Sequence, residues 1–197
     1  KDEVLQDGFT NPILNITNIQ INQFGDYVCK ITHPTITGLV LETGTYTITI
    51  KDEDHPDYNA LITLYNATNG ANWTNSWDIN TPIISWFGLT FNANNRVSAI
   101  NLNDNNVTGS LPPEIGTLNE LRVFNIDNSN LTGNIPSEIG NLTKLEEIVL
   151  GSGQLTGSIP KEIGNLKELK FLILDNNNSL SGELPFEIGN LTKLEAL

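Results

Sequence analysis

The sequence is poor in the residues that most often carry catalysis, metal binding or disulfide bonding. Its 197 residues contain no methionine, one cysteine and two histidines. A lone cysteine, Cys29, forms no internal disulfide, and no CxxC or HExxH pattern occurs. His33 and His55 both precede the repeated part of the chain, so a Ser–His–Asp device is not expected there. We therefore predict that the protein is not an enzyme and holds no cofactor.

Basic residues and long apolar runs are also scarce. Lys and Arg total 10 against 23 Asp and Glu, which gives a formal net charge of −13. This balance argues against a nucleic-acid partner, because phosphates are bound by a basic face. No apolar run approaches the roughly 18 residues of a membrane-spanning helix, so no membrane insertion is expected. The absence of methionine indicates an internal piece of a longer protein.

The C-terminal half of the chain is an internal repeat. Four units occupy residues 97–120, 121–144, 145–168 and 169–193, and LEAL at 194–197 begins a fifth. In the second unit Phe124 and Ile126 stand at alternate positions, as on one face of a short strand. One unit cannot bury its own apolar edge, so the units are expected to stack and share a core. The pattern predicts a solenoid with a parallel β ladder.

The shared pattern LTGxIPxEIGNL resembles the plant-type leucine-rich repeats of receptor ectodomains and of bacterial surface proteins. The resemblance covers residues 97–197. It implies an α/β solenoid whose parallel β ladder lies on the concave side. Because that side commonly binds proteins or peptides, the resemblance also implies a partner of that kind.

One polar position of the repeat varies between units. Its ninth residue is Asn105 in the first unit and Asn177 in the fourth, but Ser129 and Gly153 in the two between them. An asparagine there normally binds neighbouring backbones inside the stack, so we expect weaker polar bonding in the middle units. Ser179 is interpreted as a one-residue insertion in the fourth unit.

Residues 57–96 are predicted to cap the first repeat, because a solenoid end otherwise exposes apolar core. Apolar residues at helical spacing follow Asp57, which is placed to favour a helix start. The segment resembles the N-terminal cap of leucine-rich repeat proteins and, lacking paired cysteines, its bacterial form. Trp73, Trp77 and Trp86 are predicted to pack as core, and a carbohydrate-stacking platform is the alternative.

Residues 1–50 alternate as strands do and resemble strands E to G of an immunoglobulin-like domain, in FGDYVCKITHP and LETGTYTITI. Tyr27 precedes Cys29 by two residues, as in a tyrosine corner, and Cys29 is interpreted as a small buried hydrophobe. These strands do not complete a sandwich. Either the domain is truncated, another chain supplies the missing strands, or the sheet rests on the repeat cap.

Residues 51–56 form an acidic linker between the two parts. Calcium prefers oxygen ligands, and the segment offers them in Asp52, Glu53 and Asp54, together with Asp57. The DxDxDG spacing of a calcium loop is absent, so we interpret the run as a solvated linker and keep calcium as the alternative.

The side chains that point outward from the predicted ladder are the candidate binding residues. Four of them are apolar and lie among acids and two cations, a pattern that interface cores often show. The candidate set is Arg122, Val123, Asn125, Asp127, Glu147, Val149, Lys170, Phe171, Ile173 and Asp175. The alternative is that neighbouring domains or further repeats cover them.

We therefore predict a non-catalytic recognition or adhesion module of an exported protein, secreted or at the cell surface, that binds a protein or peptide through the concave side. A structural spacer between other domains is one alternative. The ligand-binding ectodomain of a receptor is another, and the missing cap cysteines count against it.

Overall fold

The computed structural model describes residues 55–197, and the elements below belong to that part of the chain. One α-helix, α1 (Tyr58–Ala67), precedes the strands. The nine strands are β1 (Leu89–Phe91), β2 (Val97–Asn101), β3 (Thr108–Ser110), β4 (Val123–Asn125), β5 (Asn130–Asn134), β6 (Glu147–Val149), β7 (Gln154–Gly157), β8 (Phe171–Ile173) and β9 (Ser179–Leu180). Short 3₁₀ helices span Gly70–Asn72, Ile83–Ser85, Pro113–Thr117, Ser137–Asn141, Lys161–Asn165 and Phe186–Asn190.

Each repeat contributes one strand to each of two sheets. The first sheet has the order β1-β2-β4-β6-β8, and the second has the order β3-β5-β7-β9. All pairs are parallel except β1 with β2, which is antiparallel. In the first sheet equivalent residues of successive repeats pair, so Val123 lies beside Ala99 and Glu147. The predicted parallel ladder is confirmed.

The apolar period of the repeat fills the core. The central residue of each three-residue strand of the ladder points inward, and Phe124, Ile148 and Leu172 are each no more than 1% exposed. Burying one such side chain stabilises the fold by roughly 1.5–3 kcal/mol. The flanking strand residues stay half-buried or exposed. The 3₁₀ helices close the opposite side and supply buried isoleucines such as Ile115 and Ile139.

Gly133 and Gly140 meet two different demands of the repeat. Gly133 has a φ of +72°, in the left-handed region where a side chain is strained. Gly140 lies where stacked 3₁₀ helices touch, and a Cβ there would lie 2.5 Å from the carbonyl oxygen of Glu162. The stack therefore needs a residue without a side chain at this position.

The inserted residue of the fourth repeat shifts the pairing of the second sheet by one. Gln154 pairs with Thr132, whereas Ser179 pairs with Thr156, one residue further along the repeat. The first sheet keeps its register up to Ile173. The extra residue therefore lies between Ile173 and Ser179. The prediction of a one-residue insertion in this repeat is confirmed, but Ser179, which the sequence analysis interpreted as the inserted residue, is the first residue of β9.

The variable polar position is filled differently in the two repeats that lack asparagine. In the second repeat the Ser129 hydroxyl accepts the Leu131 amide at 3.4 Å, and in the third repeat the asparagine of the fourth takes its place. The Asn177 amide donates to the carbonyl oxygen of Leu150 at 2.7 Å and accepts the Leu155 amide at 3.0 Å, so it reaches into the third repeat. A Cβ on Gly153 would lie 2.8 Å from the Asn177 Oδ1. The glycine thus makes room for its neighbour's asparagine, and no buried side-chain nitrogen or oxygen within 55–197 lacks a partner.

The segment before the repeats carries an aromatic core. Trp73, Trp77 and Trp86 are at most 4% exposed, and each indole N–H donates to a backbone carbonyl. Trp77 stacks on Trp86 with ring centroids 4.8 Å apart. The prediction that these rings pack as core is confirmed. The sugar-platform alternative is wrong, because a stacking platform needs exposed ring faces.

Asp57 precedes α1 but does not cap it with its side chain, in contrast to the prediction from the sequence. It occupies the residue before the helix, but its side chain makes no capping hydrogen bond. Its carboxylate instead accepts from the Arg96 guanidinium and from the Val97 amide, at 2.6 and 2.8 Å for the shortest contacts. The predicted capping role is therefore replaced by an ion pair that ties the helix to β2.

The immunoglobulin-like prediction for 1–50, including Cys29, and the proposed calcium ligands Asp52, Glu53 and Asp54 lie outside the described residues. Asp57, the remaining member of that ligand set, is fully buried against Arg96.

Candidate recognition surface

The outward side of the first sheet is a regular array of side chains, which we call the ladder face. Its first column contains Ala99, Val123, Glu147 and Phe171, which pair in register across β2, β4, β6 and β8. A second column, two residues further along each strand, contains Asn101, Asn125, Val149 and Ile173. Neighbouring side chains in a column stand about 4.8 Å apart. The ladder face is therefore continuous across four repeats.

Four apolar side chains form a patch on the ladder face. Val149 pairs directly with Ile173, and Phe171 precedes Ile173 on the same face of β8. Val123 lies one strand and two residues away from Val149, so it continues the patch diagonally. Phe171 is 37% exposed, and the three others are half-buried. The apolar patch is thus contiguous and open to solvent within the described part of the chain.

The two predicted cations on this side share one carboxylate. Arg122 Nη1 lies 2.6 Å from Glu146 Oε1, and Lys170 Nζ lies 2.7 Å from Glu146 Oε2. The hydrogen bond from Lys170, followed by that from Arg122, lowers the pKa of Glu146, while Glu146 raises the pKa of Lys170. Glu146 therefore offsets one of the two positive charges and holds both basic side chains along the margin of the ladder face.

A third column lies where the strands end. It contains Asn103, Asp127, Gly151 and Asp175, and the ladder continues through hydrogen bonds from the Asp104 amide to Asp127 and from the Ser152 amide to Asp175. The Asp175 Oδ2 accepts from the Asn176 side chain at 2.7 Å. Gly151 is buried between the two aspartates. This column places two carboxylates at the edge of the apolar patch.

The ten candidate residues all lie on the ladder face or along its margin. Glu146 was not among them, although its carboxylate binds both Arg122 and Lys170. The signal was present in the sequence, because the alternating charges of residues 122, 146 and 170 recur at the repeat period. Parallel in-register stacking turns that period into direct contact.

The described residues show no other chemistry-bearing centre. Within 55–197 no three His, Cys, Asp or Glu side chains are grouped so that they can hold a metal ion. In the same range, no helix has the length and apolar character that crossing a membrane requires. The ladder face is therefore the candidate functional site of this part of the chain.

Stacked short parallel strands, alternating with 3₁₀ turns at a fixed period, define a leucine-rich solenoid. The family model for a leucine-rich repeat region matches residues 99–197. The chain belongs to the leucine-rich repeat family.

Similar proteins come from plants. A probable leucine-rich repeat receptor-like protein kinase of Arabidopsis thaliana is 41% identical over 70 residues, which are 35% of this chain and 7% of the kinase. The crystal structure of PEPR1-AtPEP1 superimposes with a TM-score of 0.65 and 34% identity, over 70% of this chain and 20% of that one. The chain therefore spans a small part of these proteins.

Two further structures show the same fold at lower identity. The BIR3–SERK2 complex from Arabidopsis thaliana has a TM-score of 0.61 and 26% identity, over 72% of this chain and 79% of that one. A plant ice-binding protein has a TM-score of 0.62 and 26% identity, over 72% of this chain and 46% of that one.

Proposed function

We propose that this chain is a non-catalytic, ligand-binding module of a secreted or cell-surface protein, and that its ladder face binds a peptide or another protein. The observation that carries the proposal is the apolar patch of Val123, Val149, Phe171 and Ile173 on the outward side of the sheet. Phe171 is exposed, the other three are half-buried, and polar side chains surround the patch. Interface centres have this composition.

The similar proteins favour a receptor-type role over the adhesion role that the sequence suggested first. A receptor-like kinase and the PEPR1-AtPEP1 structure share the repeats, and the BIR3–SERK2 structure is a complex between proteins. The fold by itself does not select the ligand, since a plant ice-binding protein shares it. The proposal therefore depends on the ladder face, and adhesion and spacing are the competing roles.

The organisation predicted for the rest of the chain belongs to the same proposal. In it, residues 57–96 cap the solenoid, and the aromatic core around Trp77 supports that role. An immunoglobulin-like part at 1–50 and a bacterial-type cap remain predictions.

The test is selection from a random peptide-display library on the immobilised full chain. Clones that bind wild type are then measured on two matched variants, Phe171→Glu and Phe186→Glu. Phe186 is 88% exposed on a 3₁₀ helix away from the ladder face, so both changes introduce the same charge at an exposed phenylalanine.

Binding that is lost in Phe171→Glu and kept in Phe186→Glu supports recognition by the ladder face. If no clone binds, or if the two variants bind alike, the proposal is wrong and the spacer role is favoured. Unfolding midpoints of both variants, measured by circular dichroism, check that the fold is intact.

A further inference from the structure

The ladder face has an uneven charge balance, which constrains the kind of partner it can bind. Its two cations, Arg122 and Lys170, are both bound to Glu146. Among the described residues, Glu147, Asp127 and Asp175 form no ion pair with a basic side chain. Glu146 offsets one of the two cations, and with Glu147, Asp127 and Asp175 the ladder face carries a net negative charge, as does the whole chain at −13.

Asp127 and Asp175 converge on one point although they belong to different repeats. They flank Gly151 in the third column, and a Cβ built on this glycine would lie 2.7 Å from Asp127 Oδ1 and 2.6 Å from Asp175 Oδ1. The two oxygens thus occupy the space that any other residue would fill with its side chain. An alanine at position 151 would push both carboxylates away from this point.

Such an arrangement suits a cationic side chain. Two carboxylates that approach each other repel, and a positive group between them removes the repulsion and gains a charge-assisted hydrogen bond to each. The second oxygen of Asp175 is already bound by Asn176, which leaves Oδ1 directed at the shared point. Because both Oδ1 atoms lie within 2.7 Å of the Cβ position of Gly151, they are close enough together for one ammonium or guanidinium group, lying further out above the glycine, to contact both.

The apolar patch begins directly beside this point. Val149 precedes Gly151 by two residues on the same face, and Ile173 precedes Asp175 in the same way. Two residues along a strand correspond to about 6.6 Å, which is also the spacing of every second side chain on one face of an extended peptide. A bound segment can therefore place a cation over Gly151 and an apolar side chain over Val149 and Ile173 together.

We propose that the partner is a protein or peptide that binds through an extended segment carrying lysine or arginine two positions from an apolar residue, with the basic group held between Asp127 and Asp175 above Gly151. This inference rests on the proposed function, since it names the partner of the same ladder face. Charge complementarity selects this partner over an acidic one. Arg122 and Lys170 do not outweigh this selection, because Glu146 binds both and offsets one of their two charges.

The experiment uses the same peptide library on the full chain and sequences the enriched clones. We expect enrichment of segments in which a basic residue and an apolar residue are two positions apart. A representative clone is then made as a synthetic, acetylated and amidated peptide, and its Kd is measured by fluorescence polarisation. A second peptide carries citrulline in place of arginine, or norleucine in place of lysine, and binds more weakly if the charge is required.

Three variants separate the carboxylates from general charge effects. The double variant Asp127→Asn/Asp175→Asn is expected to raise Kd roughly tenfold or more, since hydrogen bonds to charged groups are the stronger ones. Gly151→Ala keeps both charges but displaces both oxygens, and is expected to weaken binding as well. The matched control Glu114→Gln/Glu183→Gln changes the net charge equally at two exposed acids and leaves Kd unchanged.

The outcomes distinguish the basic partner from the function on which it rests. Enriched peptides without basic residues that still lose binding in Phe171→Glu would leave the ladder face as the binding surface and overturn the basic partner. Equal Kd values for the aspartate double variant and its control would overturn it too. If no clone depends on the ladder face, both proposals fall.

Discussion

The ion pair between Asp57 and Arg96 permits the sharpest stability prediction. Asp57 is fully buried, and its carboxylate accepts two hydrogen bonds from Arg96 Nε at 3.0 Å and one from Arg96 Nη2 at 2.6 Å. A further bond at 2.8 Å comes from the Val97 amide. These contacts connect residues 39 positions apart and hold α1 against β2. The aspartate raises the pKa of Arg96 and keeps the guanidinium charged.

Removing the arginine alone leaves a buried carboxylate with one remaining donor. Breaking a buried ion pair in this way costs about 3–5 kcal/mol. The Arg96 side chain is 25% exposed, which lets water reach the vacated space, so we expect about 3 kcal/mol for Arg96→Met. The double variant Asp57→Asn/Arg96→Met removes both charges and keeps an oxygen for the Val97 amide. Its expected cost is only about 1 kcal/mol.

The assay is guanidinium-induced unfolding of the full chain, followed by tryptophan fluorescence. Trp73, Trp77 and Trp86 all lie within the segment that the ion pair anchors, so their emission reports on that segment. In thermal unfolding the loss for Arg96→Met corresponds to roughly 6–12 °C. If the free energy of unfolding of Arg96→Met lies within about 0.5 kcal/mol of the wild-type value, as is usual for a surface substitution, the stabilising role assigned to this ion pair is wrong. A double variant as unstable as the single one would refute the argument from uncompensated charge.

Two further predictions test the stacking of repeats. Gly140→Ala places a Cβ 2.5 Å from the Glu162 carbonyl oxygen and should cost about 1–3 kcal/mol, while Gly189→Ala, at the same repeat position with nothing within 4 Å, should be neutral in the same thermal assay. Equal unfolding midpoints for the two variants would contradict the close approach of the stacked 3₁₀ helices at Gly140. Glu146 has a lowered pKa, mainly because Lys170 and then Arg122 bond to it. The contribution of Glu146 to the free energy of unfolding is therefore complete above the pKa that this carboxyl has in the unfolded state. It is lost as pH falls through the lower pKa of the folded state. Between about pH 5 and 3, the thermal-unfolding midpoint should fall further for wild type than for Glu146→Gln. Parallel plots of midpoint against pH for the two proteins would refute the role of these contacts.

Several features could be predicted from the sequence because they depend on local spacing. The apolar period places Phe124, Ile148 and Leu172 inside, and it places Val123, Val149 and Ile173 on the ladder face. Strand residues alternate between two sides, so the period alone decides which side chains are buried. The one-residue insertion near Ser179 was predictable for the same reason, since a longer unit must absorb its extra residue between strands.

Contacts between distant residues were settled only by the tertiary structure. Asp57 looked like a helix cap, but packing of α1 on β2 brings Arg96 to its carboxylate and Val97 with it. The order of charged residues along the chain does not show which of them form ion pairs, because that depends on how the helix and strands pack together. The convergence of Asp127 and Asp175 has the same origin, since Gly151 leaves a gap that both neighbours enter. Periodicity determined which residues line each side of the solenoid, and stacking decided which of their charges remain available to a partner.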